Sequence, residues 1–119
     1  MRKITAFSGS SRPAGNSNTM LRYFLAGVGE NNAPADTFYT HAIKIQDCSG
    51  CMRCNLIKKC ANEKDDWKMI SEKIASADVL VFATPIYFHH VTASMKRLID
   101  RFRSFNHVAI TETGLIHTP

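Results

Sequence analysis

Four cysteines fall in one short run, Cys48, Cys51, Cys54 and Cys60, spaced C-x2-C-x2-C-x5-C, and they are all the cysteines of the chain. So compact a run lets several thiolates turn toward one centre. It is related to the ferredoxin pattern C-x2-C-x2-C-x3-C-P, but its last interval is longer and no proline follows. Zinc is an alternative, although structural zinc cysteines usually come as two separated pairs. Disulfides are disfavoured in a reducing compartment. Unliganded thiols, acting as small hydrophobes, complete the choices. Arg53, Lys58, Lys59 and Lys64 crowd the same run. They read first as a solvated loop, and otherwise as a docking surface for an acidic redox partner or counter-charges to an anionic metal–thiolate centre.

A second set of reactive groups lies near the start. Ser8-Gly9-Ser10-Ser11-Arg12-Pro13-Ala14-Gly15-Asn16-Ser17-Asn18 follows a short apolar run, Ile4 to Phe7, and precedes a helical pattern. A strand-to-helix loop offers free backbone N–H groups and the positive end of a helix dipole, both of which attract anions. Here the hydroxyls of Ser8, Ser10, Ser11 and Ser17, the amide of Asn16 and the guanidinium of Arg12 add to them, and Gly9 and Gly15 admit close backbone approach. There is no G-x-x-x-x-G-K-[ST] and no G-x-G-x-x-G, so neither a P-loop nor a dinucleotide fingerprint is present. Many hydroxyls and one arginine suit a terminal phosphate monoester better than a buried pyrophosphate. The alternative is a ligand-free connector, which the placement straight after the first strand disfavours.

The elements that must position these groups alternate. Ile4 to Phe7 reads as a buried strand. Met20, Leu21, Phe24, Leu25 and Val28 trace one helix face, capped by Asn16 or Ser17 and stopped near Gly29 and Asn31-Asn32. Asp36 to Thr40 reads as a second strand, and 46–62 as a cysteine loop. Asp65 and Asp66 open a helix with Trp67, Ile70 and Ile74 inward, where their charges suit the dipole. Val79-Leu80-Val81-Phe82-Ala83 reads as a strand buried on both faces. A last helix carries Val91, Met95, Leu98, Ile99 and Phe102. Lys96, Asp100 and Arg101 read as its solvated salt-bridge face. This β-α-β-loop-α-β-α order implies an α/β fold with a parallel sheet and right-handed crossovers. Ligands on such sheets sit beyond the carboxyl ends of the strands, where the first and third loops lie.

The bulk numbers set bounds. With 119 residues the chain is sized for one domain, 1–119. At 45% hydrophobic and 21% charged residues it is neither disordered nor fibrous. No apolar run is long enough to cross a bilayer, and the apolar stretch after Met1-Arg2-Lys3 is too short for a signal peptide. A cytoplasmic location is therefore expected. The net charge of +5 comes without an arginine-rich tract or aromatic–basic array, which argues against nucleic acid as partner.

Gly9-Ser10-Ser11-Arg12-Pro13-Ala14-Gly15-Asn16-Ser17 resembles the opening loop of the NADPH-dependent FMN reductase and flavodoxin-like superfamily. Thr84-Pro85-Ile86-Tyr87 followed by Lys96-Arg97-Leu98-Ile99-Asp100-Arg101 resembles its second signature, and the match runs from about Lys3 to Ser104. The resemblance implies a flavodoxin-like three-layer sandwich. It implies that Ser10, Arg12, Asn16, Ser17 and Asn18 hold the phosphate of FMN, and that Pro85, Ile86, Tyr87 and Phe88 line the isoalloxazine ring. Hydrogen bonds and stacking at such a loop tune a flavin's electronics. His89 and His90 could donate protons there, but a histidine pair in a loop is more often surface. Within the family, the cysteine run closely resembles that of the iron–sulfur flavoproteins. That likeness implies Cys48, Cys51, Cys54 and Cys60 as ligands of a 4Fe–4S cluster.

The chain also departs from that pattern. A five-stranded flavodoxin-like domain needs about two more βα units than the three main strands here. The tail 105–119 does not resemble a fourth strand with its flavin loop; Val108 to Thr111 and Leu115 to His117 suit a short hairpin. A shortened chain, a natural fragment and a chain completed by a partner all explain this, and each leaves a sheet edge to cover. A homo-oligomer is therefore expected. The first functional reading is an FMN-binding, iron–sulfur oxidoreductase that moves electrons between NAD(P)H, or a redox protein such as ferredoxin, and an acceptor. No nicotinamide motif is visible, so NAD(P)H rests on the resemblance. The alternatives are an electron carrier or redox sensor without turnover, and a degenerate fragment with a structural role.

Overall fold

The computed structural model describes residues 2–30 and 34–118. In chain order the elements are β1 (Ile4–Ser8), α1 (Asn16–Gly29), β2 (Ala35–Tyr39), the one-turn α2 (Cys54–Ile57), α3 (Trp67–Ala75), β3 (Val79–Ala83), α4 (Ala93–Arg101), a 3-10 turn (Phe102–Phe105), β4 (His107–Thr111) and β5 (Gly114–Thr118). The first three strands form a parallel sheet in the order β2-β1-β3, with Ile4 level with Ala35 on one side and Val79 on the other. β4 and β5 form a separate antiparallel hairpin, as the tail residues lead one to expect.

Alternation along β1 sorts the layers. Ser8 turns to α1, where its hydroxyl donates to Asn18 Oδ1. Thr5 and Phe7 face the opposite side, where Thr5 Oγ1 donates to the Lys73 carbonyl on α3. On that side Phe7, Ile45, Trp67, Ile70, Ile74, Met95 and Leu98 form the buried core. Phe7 lies between Phe38 and Phe82, with ring centroids 5.7 and 5.5 Å away.

Three expectations need correction. Met20 and Phe24 are exposed, at 72% and 48%, so the inward stripe of α1 runs through Asn18, Leu21, Leu25 and Val28. The apolar residues of this helix cover more than one face, and the polar Asn18 is drawn inward by Ser8. The cap of α1 is Gly15, with no side-chain hydrogen bond from Asn16 or Ser17. β3 is not buried on both faces: Phe82 is 44% exposed and its neighbours half-buried, because β3 is an edge of this sheet among the described residues. Gly29 does end α1, whereas Asn31-Asn32 lie outside the described residues. No helix is long and apolar enough to cross a membrane among the described residues.

Candidate functional site

The strand order reverses direction at β1, since the chain steps to β2 on one side and then to β3 on the other. The carboxyl ends of β1 and β3 therefore diverge into a crevice, the place where open α/β sheets bind ligands. Two loops meet there. Gly9 N donates to the Ala83 carbonyl at 2.7 Å, Thr92 Oγ1 donates to the Gly9 carbonyl at 2.8 Å, and Thr92 N donates to Thr84 Oγ1 at 3.3 Å. A Cβ on Gly9 would stand 2.8 Å from both threonine hydroxyls. Glycine is thus required at this position by the contact of one loop with the other.

The first loop holds its own shape. Arg12 N donates to Ser10 Oγ at 3.2 Å, Gly15 N to the Arg12 carbonyl at 3.0 Å, and Asn18 Nδ2 to the Arg12 carbonyl at 2.8 Å. Between this loop and the loop after β3 lies a cavity of about 210 Å³, lined by Ser10, Arg12, Ala14, Gly15, Asn16, Ser17, Pro85 and Tyr87. Six of the nine residues picked out for a flavin thus share one cavity. Asn18 instead sits beneath the loop, its side chain engaged by Ser8 and by the carbonyls of Ser10 and Arg12. Ile86 and Phe88 are exposed and are not among the cavity walls. Ser11 faces a neighbouring hollow with Arg22, Tyr39 and His41.

The loop after β3 is tightly folded. Tyr87 and His90 exchange backbone hydrogen bonds of 2.9 and 3.1 Å, and the two residues between them, Phe88 and His89, have φ of 45° and 64°. Two consecutive positive φ values define the type I′ turn, which favours Asn-Gly. Here a fully exposed phenylalanine and a histidine occupy it, a strained conformation of the kind that clusters at ligand sites.

A second cavity, of about 230 Å³, is lined by all four cysteines together with Arg101, Arg103 and the loop around Ser49 and Gly50. Left-handed conformations at Gly50, Met52 and Lys58 wind this loop around it. Cys48 and Cys51 are exposed, Cys54 is buried and Cys60 half-buried. A hydrogen bond from the Arg53 backbone, which outweighs desolvation and is helped by Ser49, holds the Cys51 thiol below its ordinary pKa. No three such side chains converge on one ion among the described residues. A single zinc ion needs its sulfurs within about 2.3 Å of a point. A polynuclear cluster binds each thiolate to a different iron, so its ligands must surround a volume. The cysteines lining one cavity supply the thiolate donors that either centre uses.

The residue that sequence reasoning missed is Arg101. It was expected on a solvated face with Lys96 and Asp100; those two do pair at the surface, but the side chain of Arg101 is 1% exposed. Its Nη1 donates to Asp65 Oδ2 at 2.6 Å and to the Gln46 carbonyl at 3.0 Å. Its Nη2 donates to Cys60 Sγ and the Asn62 carbonyl, both at 3.2 Å. The guanidinium lies 5.2 Å from the Trp67 ring centroid. Burial would raise the Asp65 pKa, but hydrogen bonds from Arg101 and from the Gln46 and Trp67 amides outweigh it and hold the carboxyl low. Burial alone would lower the Arg101 pKa, yet Asp65 and Cys60 hold it raised. One signal could have found Arg101: it lies three residues beyond Leu98, on the buried stripe of α4.

A parallel α/β sheet with a polar crevice at its switch point defines the class as flavodoxin-like. The family described as NADPH-dependent FMN reductase matches residues 2–115, and the chain belongs to it. The chain is 33% identical over 101 residues to the iron–sulfur flavoprotein MJ1083 of Methanocaldococcus jannaschii, covering 85% of this chain and 52% of that protein. It is 31% identical over 99 residues to an iron–sulfur flavoprotein of Methanosarcina thermophila, covering 83% and 51%. It thus spans about half the length of the curated relatives it matches. Among solved structures, a flavone reductase superposes with a TM-score of 0.63 at 26% identity, covering 84% of this chain and 29% of that one. The fold alone is shared with an azoreductase from Bacillus anthracis, at TM-score 0.67 and 18% identity over 98% and 62% of the two chains.

Proposed function

We propose that this chain binds FMN at the β1/β3 crevice and serves as a flavoprotein oxidoreductase that passes electrons from NAD(P)H, or from a redox protein such as ferredoxin, to an acceptor. The observation that carries this reading is the shared cavity: Ser10, Arg12, Asn16 and Ser17 on one wall and Pro85 and Tyr87 on the other. Ser10, Ser17, Asn16 and the N-terminus of α1 would take the phosphate, with Arg12 neutralising it. Asn18 contributes by fixing the loop that does so. Pro85 and Tyr87 supply the flat contact for the ring, and Ile86 and Phe88 would close over it only with a change in the strained turn.

The same reading gives Cys48, Cys51, Cys54 and Cys60 as ligands of a 4Fe–4S cluster, supported by the cavity they line and by the names of the relatives. Such a centre supplies one-electron transfer, which complements a flavin's capacity for two. The exposed Leu56, at 83%, stands on α2 beside this cavity with Arg53, Lys58 and Lys59 around it, a surface suited to an acidic electron-transfer protein. Self-association would cover the outer edge of β3.

The test is to purify the chain anaerobically and measure FMN, iron and acid-labile sulfide per chain, then follow NADPH and NADH oxidation with FMN supplied. The reading predicts bound FMN and iron, with Arg12→Ala lowering FMN affinity at least tenfold and leaving iron unchanged. A chain that takes up no FMN refutes it. Bound FMN without nicotinamide oxidation assigns the chain to the electron carriers instead.

A further inference from the structure

Arg101 is placed where few arginines are tolerated. A fully buried guanidinium carries a large desolvation cost unless it is paired and hydrogen-bonded, and the single carboxylate that pairs with it, Asp65, is itself 4% exposed. The fork is spent on three segments of one loop: the Gln46 carbonyl before the cysteines, Cys60 Sγ within them, and the Asn62 carbonyl after them. Nε, which points from the same buried group, has no partner among the described residues. A salt bridge made only for stability would not need the sulfur contact. Lysine, with a point charge and no fork, could not span the three acceptors at once. Arg101 also ends α4, the helix whose other end is tied to the first crevice through Thr92 and the Gly9 carbonyl.

We propose that Arg101 is the positioning residue of the cysteine cavity, holding the Cys60 sulfur in place and setting the reduction potential of the iron–sulfur centre there. This rests on the cluster reading given above. The physical reason is charge. Reduction adds a negative charge that spreads onto the ligand sulfurs, and a donor hydrogen bond with a positive charge behind it stabilises the reduced form. Asp65 tempers that effect by offsetting the guanidinium. Loss of the sulfur contact therefore lowers the potential, and loss of the Asp65 charge raises it.

The experiment compares wild type, Arg101→Lys and Asp65→Asn, each purified anaerobically, by iron and sulfide content and by a redox titration followed by electron paramagnetic resonance. R101K is expected to disfavour reduction by a factor of ten or more, which is about 59 mV for one electron. D65N, nearly identical in shape and retaining Arg101, is expected to shift the potential upward. A merely structural arginine would not produce opposite signs. Variants that hold iron and titrate at the wild-type potential overturn this inference alone. Should R101K not fold, an unchanged or lowered potential in D65N overturns it equally. Wild type that holds neither iron nor sulfide overturns the cluster reading and this one with it, and the metal content tells the two failures apart.

Discussion

Replacing Phe88-His89 by Asn-Gly should make the protein more stable while weakening its hold on a flavin. Both residues sit at positive φ, 45° and 64°, between the paired Tyr87 and His90. The left-handed region costs an L-residue roughly 1–2 kcal/mol, and glycine escapes the penalty while asparagine largely tolerates it. Little is lost in exchange. Phe88 is 98% exposed, so no burial is given up. Its ring neighbour among the described residues is His89, at 5.9 Å and tilted by 56°, worth about 0.5–1.5 kcal/mol. The added glycine widens the unfolded ensemble by roughly 0.5–1 kcal/mol. The balance is a gain of about 1 kcal/mol for Phe88→Asn with His89→Gly. Equilibrium urea unfolding reads it directly, as a midpoint that rises with an unchanged slope. An unchanged or lower midpoint would refute the view that this turn is strained for the sake of a ligand. Flavin affinity, measured on the same samples, should fall.

Three further outcomes follow from named contacts. Asp65→Asn strands the charge of Arg101 and should cost about 3–5 kcal/mol in urea unfolding at pH 7. Because the folded Asp65 carboxyl is held low, its contribution is present above its unfolded pKa of about 3.9 and is lost as pH falls through the folded value, so wild type should lose stability in that acid range and D65N should lack that loss. Gly9→Ala places a methyl 2.8 Å from the Thr84 and Thr92 hydroxyls and should cost roughly 1–3 kcal/mol, with at least a tenfold loss of FMN affinity by fluorescence titration. Cys54→Ala should abolish iron retention, measured by chelator assay, and leave FMN affinity within about twofold, because Cys54 lines the second cavity and not the first.

Much of this architecture was legible in the residues. Ile4 to Phe7, running into a serine-rich bend, marked β1, which extends one residue further to Ser8. Trp67, Ile70 and Ile74 traced the inward face of α3 because a 3.6-residue period leaves no alternative for them. What failed were features set by neighbours far along the chain. The apolar run of β3 is indistinguishable from that of an interior strand, since a sequence records hydrophobicity and not which strand lies alongside. The stripe of α1 was misplaced because Asn18, a polar residue, is drawn inward by Ser8, ten residues earlier. Of the residues proposed for a flavin, Ser10, Arg12, Asn16, Ser17, Pro85 and Tyr87 share one cavity, but the sequence did not show that Asn18 is consumed beneath the loop or that Ile86 and Phe88 are exposed. Arg101 was hidden for a related reason: an Asp100-Arg101 pair after Lys96 looks like surface charge, and only the packing of Trp67 and Asp65 against α4 reveals a buried cation.

The claim on which the rest depends is that the loop between β1 and α1 cradles a phosphate. Titration of the apo chain with FMN and, separately, with riboflavin, followed by flavin fluorescence, isolates that group, because the two ligands share the ring and the ribityl chain. Charge-assisted hydrogen bonds of the kind Arg12, Ser10 and Ser17 can make are worth about 1.5–3 kcal/mol each. FMN is therefore predicted to bind at least a hundredfold more tightly than riboflavin, which corresponds to about 2.7 kcal/mol. Equal affinities would contradict the account.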